Sequence, residues 1–260
     1  FTLKNYTLKT TLAPVAEETP APAFAVTVKD LWQFLKRPVH LPAQHLTPAQ
    51  IWRPFLQLCL LKLLVAISLG YMAIGILKLA GFNTDFEHAV VKMLKEYPFA
   101  VAFLLIAVVG PVIEEVMFRY PLRYTKVRFM LLFGILSLCC IPFIMEPFKN
   151  NPLPGLGLVL IFPALAICFL LYESWQVAVQ QWWHRSFAFI FYSTSVVFSF
   201  IHIFNFENPE IPLAWLWLLV LPQLSGGLMW GYIRMKYGLK WAMAGHGLSN
   251  AVLVILSVLT

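Results

Sequence analysis

Seven long apolar runs dominate this sequence, and they leave few folds open. They cover residues 51–80, 99–119, 129–145, 158–175, 187–206, 213–232 and 239–259. An α-helix needs roughly 20 apolar residues to cross a bilayer. In hydrocarbon every backbone N–H and C=O must be paired within its own segment, so successive runs of this kind specify helices and not an open sheet. The expected fold is an all-α, polytopic membrane helical bundle with about seven transmembrane helices. Composition agrees, with 60% hydrophobic and 12% charged residues, against about 25% charged in soluble domains. Cys59, Cys139, Cys140 and Cys168 all lie inside apolar runs without metal-type spacing, and read as small buried hydrophobes.

Residues 1–50 form an N-terminal tail, and residues 51–260 the transmembrane helical domain. Pro14, Pro20 and Pro22 lie in a stretch, 1–28, with no apolar periodicity, which reads as an extended tail or partner-binding arm. Residues 29–37 make a short amphipathic piece that suits either the membrane surface or a face of the bundle. The net charge of +7 does not point to nucleic acid. The basic residues gather in alternate loops, as they do on the cytoplasmic side of membrane proteins. Lys29, Lys36, Arg37 and Arg53 precede the first run; Arg123, Lys126 and Arg128 follow the second; Arg185 follows the fourth; Arg234, Lys236 and Lys240 follow the sixth. Seven crossings put all four groups on one side. Glu207, Glu210 and the mixed-charge connecting helix at 85–97 fall on the other. The N-terminus is therefore expected in the cytoplasm and the C-terminus outside.

Strongly polar residues inside the runs are few. Gly110 to Arg119 reads G-P-V-I-E-E-V-M-F-R, with three charges that each cost roughly 2.5–3.5 kcal/mol at mid-membrane. Glu115 and Arg119 are i,i+4 and can pair on one helix face. Glu114 lies about 100° round the helix and points elsewhere. His202 ends F-S-F-I-H; His246 and Asn250 share a face in H-G-L-S-N. Gln223 is a weaker member of the set. Lys62 reads as an isolated lysine that snorkels or finds a carbonyl, and Ser225-Gly226-Gly227 with Gly231 as close helix packing. Glu114, His202, His246 and Asn250 come from three helices and could converge on one wet cavity. There a carboxylate beside an imidazole can take a proton from water, and a second imidazole and an amide can donate to an oxyanion. Glu114, His202 and His246 also match the His₂Glu donor set of a catalytic zinc site, although H-E-x-x-H is absent. Both schemes stay open. The plainer reading is a structural ion-pair network with interhelical polar glue, and a proton-coupled transporter is a further alternative.

The three motifs in this order, E-E-x-x-x-R, F-x-x-x-H and H-x-x-x-N, each in an apolar run, resemble those of the CPBP family (CAAX proteases and bacteriocin-processing enzymes, also called the Abi family). The resemblance covers residues 99–260 as a CPBP-type core, with an apparent inserted helix pair at about 129–175. It implies an intramembrane endopeptidase, a hydrolase that cleaves a membrane-associated peptide or protein, lipid-modified ones included. It implies that Glu114 and His202 activate water, that Glu115 and Arg119 support the site, and that His246 and Asn250 stabilise the oxyanion. Members are often labelled metalloproteases, and a metal-independent glutamate mechanism is also argued for the family, so a divalent metal such as zinc is an open cofactor. The expected setting is the prokaryotic cell (inner) membrane. Expected partners are membrane lipid, the substrate, and a membrane protein met through the N-terminal tail or inserted helices. The rival is a non-catalytic membrane scaffold, or a subunit of a larger membrane complex, keeping the same bundle. Two features depart from the family pattern. Tyr120 and Pro121 stand where glycine often follows the arginine. Counted from the cytoplasmic ends, His202 also comes out deeper than Glu114 or His246. In a protease-protection map, Glu207 is expected on the non-cytoplasmic side; a cytoplasmic Glu207 overturns the orientation.

Overall fold

The computed structural model describes residues 22–41, 46–207 and 210–259. The tail expected over 1–28 lies outside them up to residue 21. From Phe24 the chain is already helical, so the last part of that stretch is not extended. The helices are α1 (Phe24–Lys36), α2 (Pro48–Leu79), α3 (Ala89–Glu96), α4 (Phe99–Leu104), α5 (Gly110–Phe118), α6 (Lys126–Met145), α7 (Pro152–Val159), α8 (Ile161–Leu171), α9 (Glu173–Arg185), α10 (Phe187–Ile201), α11 (Leu221–Lys236) and α12 (Leu239–Leu259). Among the described residues there is no strand beyond one isolated bridge between His88 and Phe206. The protein is a helical membrane bundle.

Among the described residues six helical stretches are long and apolar enough to span: Pro48–Leu79, Phe99–Leu122, Lys126–Phe148, Pro152–Leu171, Phe187–Asn205 and Leu239–Leu259. The run at 213–232 is the exception. It divides into a 3₁₀ stretch, Leu213–Leu218, and α11, because Pro222 in the first turn starts a new helix there. α11 is the centre of the bundle, packed by α2, α10 and α12. Trp230, Tyr232, Ile233 and Met235 on it are almost fully buried. Its glycines make this possible: a Cβ at Gly231 would stand 2.6 Å from the Phe191 ring, and one at Gly227 would stand 3.1 Å from Ser195 O. The close packing expected of this glycine-rich stretch is what the structure uses.

α1 docks on this core. Leu31 and Phe34 are buried, and Phe34 meets the Phe191 and Tyr232 rings, each at 5.3 Å. Thr27 donates to Gln57 Oε1 at 2.6 Å, and Lys236 pairs with Asp30 at 2.6 Å. α1 is thus a helix packed on the bundle through one face. The first turn of α10 is covered at the same level, where Phe187 meets His40. The stretch 129–175 is peripheral. Its two spanning windows are 6% and 11% buried, against 33% for Phe187–Asn205 and for Leu239–Leu259.

The connecting helix expected at 85–97 is α3, clasped to the segment after α10. The Glu207 N–H donates to Glu87 O at 3.0 Å, Lys92 pairs with Glu207 at 2.5 Å and Lys95 with Glu87 at 2.6 Å. His88 caps α3: its Nδ1 accepts from the Val90 N–H at 3.2 Å, which only an unprotonated Nδ1 can do. Burial pushes the His88 pKa below its ordinary 6.5. The unfolded form then binds the proton more readily, so the cap's stability is complete above pH 6.5 and is lost as pH falls below it. Hydrogen exchange at Val90, corrected for its intrinsic rate, should accelerate below pH 6.5 by up to about tenfold per pH unit. His88→Asn keeps a capping acceptor that does not titrate, and should abolish that acceleration.

Candidate active site

The site begins with a proline. Pro111 has no N–H, and the helix around it responds by opening a π turn over Leu105–Val109. The Gly110 N–H reaches back to Leu105 O. Ile106 O thereby loses the Gly110 N–H, and Ala107 O loses the N–H that residue 111 would have supplied. α12 takes up both positions. Asn250 Nδ2 donates to Ile106 O at 3.0 Å. Gly247 lies so close that a Cβ there would stand 2.6 Å from Ala107 O. This contact fixes the height of α12 against α5, and so places His246.

His246 donates its Nδ1–H to Glu115 Oε1 at 3.0 Å. Glu115 is fully buried, and Arg119 Nη1 lies 3.5 Å from the same oxygen in the expected i,i+4 pair. Neither Arg119 terminal nitrogen hydrogen-bonds to a described residue. The guanidinium instead lies 3.8 Å from the centre of the Phe198 ring, a cation–π contact worth about 2 kcal/mol or more when desolvated. Arg234 holds this turn from behind, donating Nε–H to Arg119 O at 3.0 Å. The first residue of F-x-x-x-H is thus the platform for the arginine of E-E-x-x-x-R.

The last residue of that motif reaches the other carboxylate. His202 begins a 3₁₀ turn, His202–Asn205, at the end of α10. Its Nδ1 lies 2.7 Å from Phe198 O. A carbonyl only accepts, so Nδ1 carries the hydrogen and Nε2 is left with its lone pair. That Nε2 is 3.8 Å from Glu114 Oε2, and His246 Nε2 is 3.6 Å from the same oxygen. Glu114 Oε2 is buried and accepts no hydrogen bond from a described residue. Three acceptors therefore face one another at separations too long for a direct hydrogen bond. They line a cavity of about 460 Å³ together with Lys62, Trp230 and Asn250. α3 supplies part of its wall through Val90, Val91 and Met93.

All six residues singled out in the sequence lie in one cluster. Glu114, His202 and His246 converge directly; Glu115 and Arg119 stand behind His246; Asn250 lines the cavity with one amide hydrogen committed to Ile106 O. Three neighbours escaped the sequence reading. Trp230 stacks on His246 with ring centres 6.0 Å apart. Arg234 looks like an ordinary loop charge beside Lys236, and nothing local marks it. Lys62, read from the sequence as an isolated lysine, is 6% exposed and lines the cavity.

Glu114, His202 and His246 are the right donor types for zinc, but their arrangement does not fit it. Ligands on a tetrahedral zinc with bonds of ~2.0–2.1 Å stand roughly 3.3 Å apart, closer than the 3.6 and 3.8 Å found here. Among the described residues no group of three or more His, Cys, Asp or Glu side chains is placed to hold a metal ion.

The contact between Gly247 and Ala107 O generates a test. Gly247→Ala should displace α12, costing about 1–3 kcal/mol and moving His246 off Glu114 and Glu115. Gly134→Ala, at a helical position with no neighbour within 4 Å, should be neutral or slightly stabilising. Thermal melting of both variants in detergent checks the difference.

Comparison with known proteins finds the family that the three motifs resemble. The family described as type II CAAX prenyl endopeptidase Rce1-like matches residues 96–252, more than half of the chain. No curated protein and no solved structure matches it. The matched stretch holds the whole of the Glu114–His202–His246–Asn250 cluster, and the chain belongs to the Rce1-like type II CAAX prenyl endopeptidase family, which is the CPBP family of intramembrane endopeptidases.

Proposed function

We propose that the protein hydrolyses a peptide bond in a membrane-associated substrate, using water activated by Glu114 and His202. The observation that carries this reading is the meeting of Glu114 Oε2 with two imidazole lone pairs at 3.8 and 3.6 Å. Three acceptors in one place call for a molecule that brings hydrogens, and water brings two. Glu114 takes one of its protons as the oxygen attacks the scissile carbonyl carbon, and His202 Nε2 accepts the other hydrogen and orients the molecule. His246, its Nδ1–H fixed on Glu115, shares at Nε2 the proton that Glu114 has taken and so faces the oxyanion as a donor while the intermediate lasts, and Asn250 offers its second amide hydrogen. When the tetrahedral intermediate collapses, Glu114 returns its proton to the leaving amine. Glu115 and Arg119 touch no substrate; they hold His246.

The family favours a lipid-modified peptide as substrate, and the apolar outer faces of the spans favour delivery from the bilayer. The basic groups on α1, at Arg123 and at Arg234–Lys236 gather at one end through the Lys236–Asp30 pair and a bond from Arg123 to Met235 O. This supports the N-terminus in the cytoplasm of a prokaryotic cell. In this reading the donor set works without zinc.

Glu114→Gln keeps the shape of the side chain and removes the base. Cleavage of a prenylcysteine peptide by purified protein should fall by about 10²–10⁴-fold, with melting temperature unchanged, and 1,10-phenanthroline should leave the wild-type rate intact. Full activity in Glu114→Gln would sink the reading. Loss of the wild-type rate with chelator, restored by zinc, would replace its water-activating step by a metal-dependent one.

A further inference from the structure

A second cluster of charge lies outside the cavity, where the segment after α5 turns into α6. Arg123, Arg128 and Arg234 meet there. Arg128 donates Nη1–H to Arg123 O at 2.8 Å, Arg123 donates Nη2–H to Met235 O at 2.6 Å, and Arg234 reaches Tyr120 O at 3.4 Å. The Arg128 guanidinium covers the Tyr120 ring at 4.7 Å. Two imidazoles close the group. The His40 and His184 rings stand 4.6 Å apart, and His40 lies within electrostatic reach of Arg123 and Arg234.

These cations face no counter-charge. No ion pair among the described residues involves any of the three arginines. Glu115, which acts on Arg234, is already held by Arg119 and His246, and Asp30 is held by Lys236. Each guanidinium has five N–H donors. The Nε–H groups of Arg123 and Arg128 are buried with no acceptor among the described residues, and Nε2 of His40 has no partner there either. Trp183 packs on Tyr124 at 5.9 Å; it is 4% exposed, and its indole N–H lacks an acceptor too. The helix adds to the imbalance. α6 carries Lys126 and Arg128 in its first turn and no acidic residue, so two cations sit at the positive end of its dipole. Donors to spare, like charges together and a helix N-terminus all call for an anion. Guanidinium forks suit the oxygens of a phosphate.

The surroundings decide which phosphate. The cluster stands between the end of one spanning stretch, Phe99–Leu122, and the start of the next, Lys126–Phe148, which is the level of lipid headgroups. α9 exposes Trp175 and Trp182 beside it, residues that favour that level. Val127 and Leu131 share a face of α6 next to Arg128 and are 66% and 52% exposed. They give acyl chains an apolar track leading away from the arginines, which a free phosphate does not need.

We propose that Arg123 and Arg128, with His40 and His184 at the rim, bind the phosphate of an anionic phospholipid whose acyl chains lie along Val127 and Leu131. Arg234 joins this site to the peptidase cavity, since the same side chain donates Nε–H to Arg119 O at 3.0 Å. A bound headgroup offsets the repulsion among the arginines and steadies the turn from Arg119 to Arg123 without touching the substrate.

The test uses the whole chain in nanodiscs of phosphatidylcholine alone and of phosphatidylcholine mixed with phosphatidylglycerol. The melting temperature should be higher in the mixed discs. Native mass spectrometry of protein released from them should find phosphatidylglycerol retained about tenfold beyond its share of the lipid, as expected for charge-assisted bonds. Arg123→Gln and Arg128→Gln should each lose most of the enrichment and of the stabilisation. Arg53→Gln, which removes an exposed basic residue outside the cluster, should keep both. Inorganic phosphate added to phosphatidylcholine discs should leave the melting temperature unchanged; a rise matching that of phosphatidylglycerol would assign the site to free phosphate and overturn the lipid proposal. Equal melting and no enrichment in the wild type overturn it whether or not any variant folds. A loss shared equally by Arg53→Gln would reduce the effect to diffuse surface charge and overturn it as well.

Discussion

Glu115 keeps a carboxylate where no water reaches, and the site is arranged around that charge. A buried carboxylate left unpaired would cost several kcal/mol. Arg119 and His246 answer it from two directions, one from the next turn of the same chain segment and one from α12. Each answer recruits further support. Arg119 has too few hydrogen-bond partners of its own, so Phe198 spreads beneath it and Arg234 holds its backbone. His246, held on Glu115, is backed by the Trp230 ring. Removing Glu115 would therefore leave an unpaired arginine and an imidazole without a fixed tautomer, which is why its substitution should behave as a structural lesion and not as the loss of one contact.

A second dependence runs through the backbone. Pro111 and the π turn release two carbonyls, and α12 is cut to meet them: glycine where the approach is closest and asparagine where an acceptor waits. Gly110-Pro111 and His246-Gly247-Leu248-Ser249-Asn250 are thus two halves of one joint. The placement of His246 and the packing of the helix use adjacent residues of the same short segment, so the register of α12 cannot slip without moving His246.

Much of this was legible in the residues. Helices were legible because hydrocarbon leaves the backbone no alternative, and the carboxylate and imidazole residues stood out because polar groups are costly there. The i,i+4 spacing paired Glu115 with Arg119 correctly. What failed were inferences that need a neighbour. The stretch 213–232 reads as one continuous helix by its apolar content, yet Pro222 divides it into a 3₁₀ stretch and a buried central helix. Lys62 read as a snorkelling lysine because only the packing of α2 against α11 shows that it lines the cavity.

The clasp between α3 and the segment after α10 has a mechanical consequence. Phe206, which pairs with His88, follows directly on the 3₁₀ turn that begins at His202. α3 is also part of the cavity wall. One short bridge therefore steadies both a wall of the cavity and the turn that carries an imidazole into it, so a lesion in either is shared by the other.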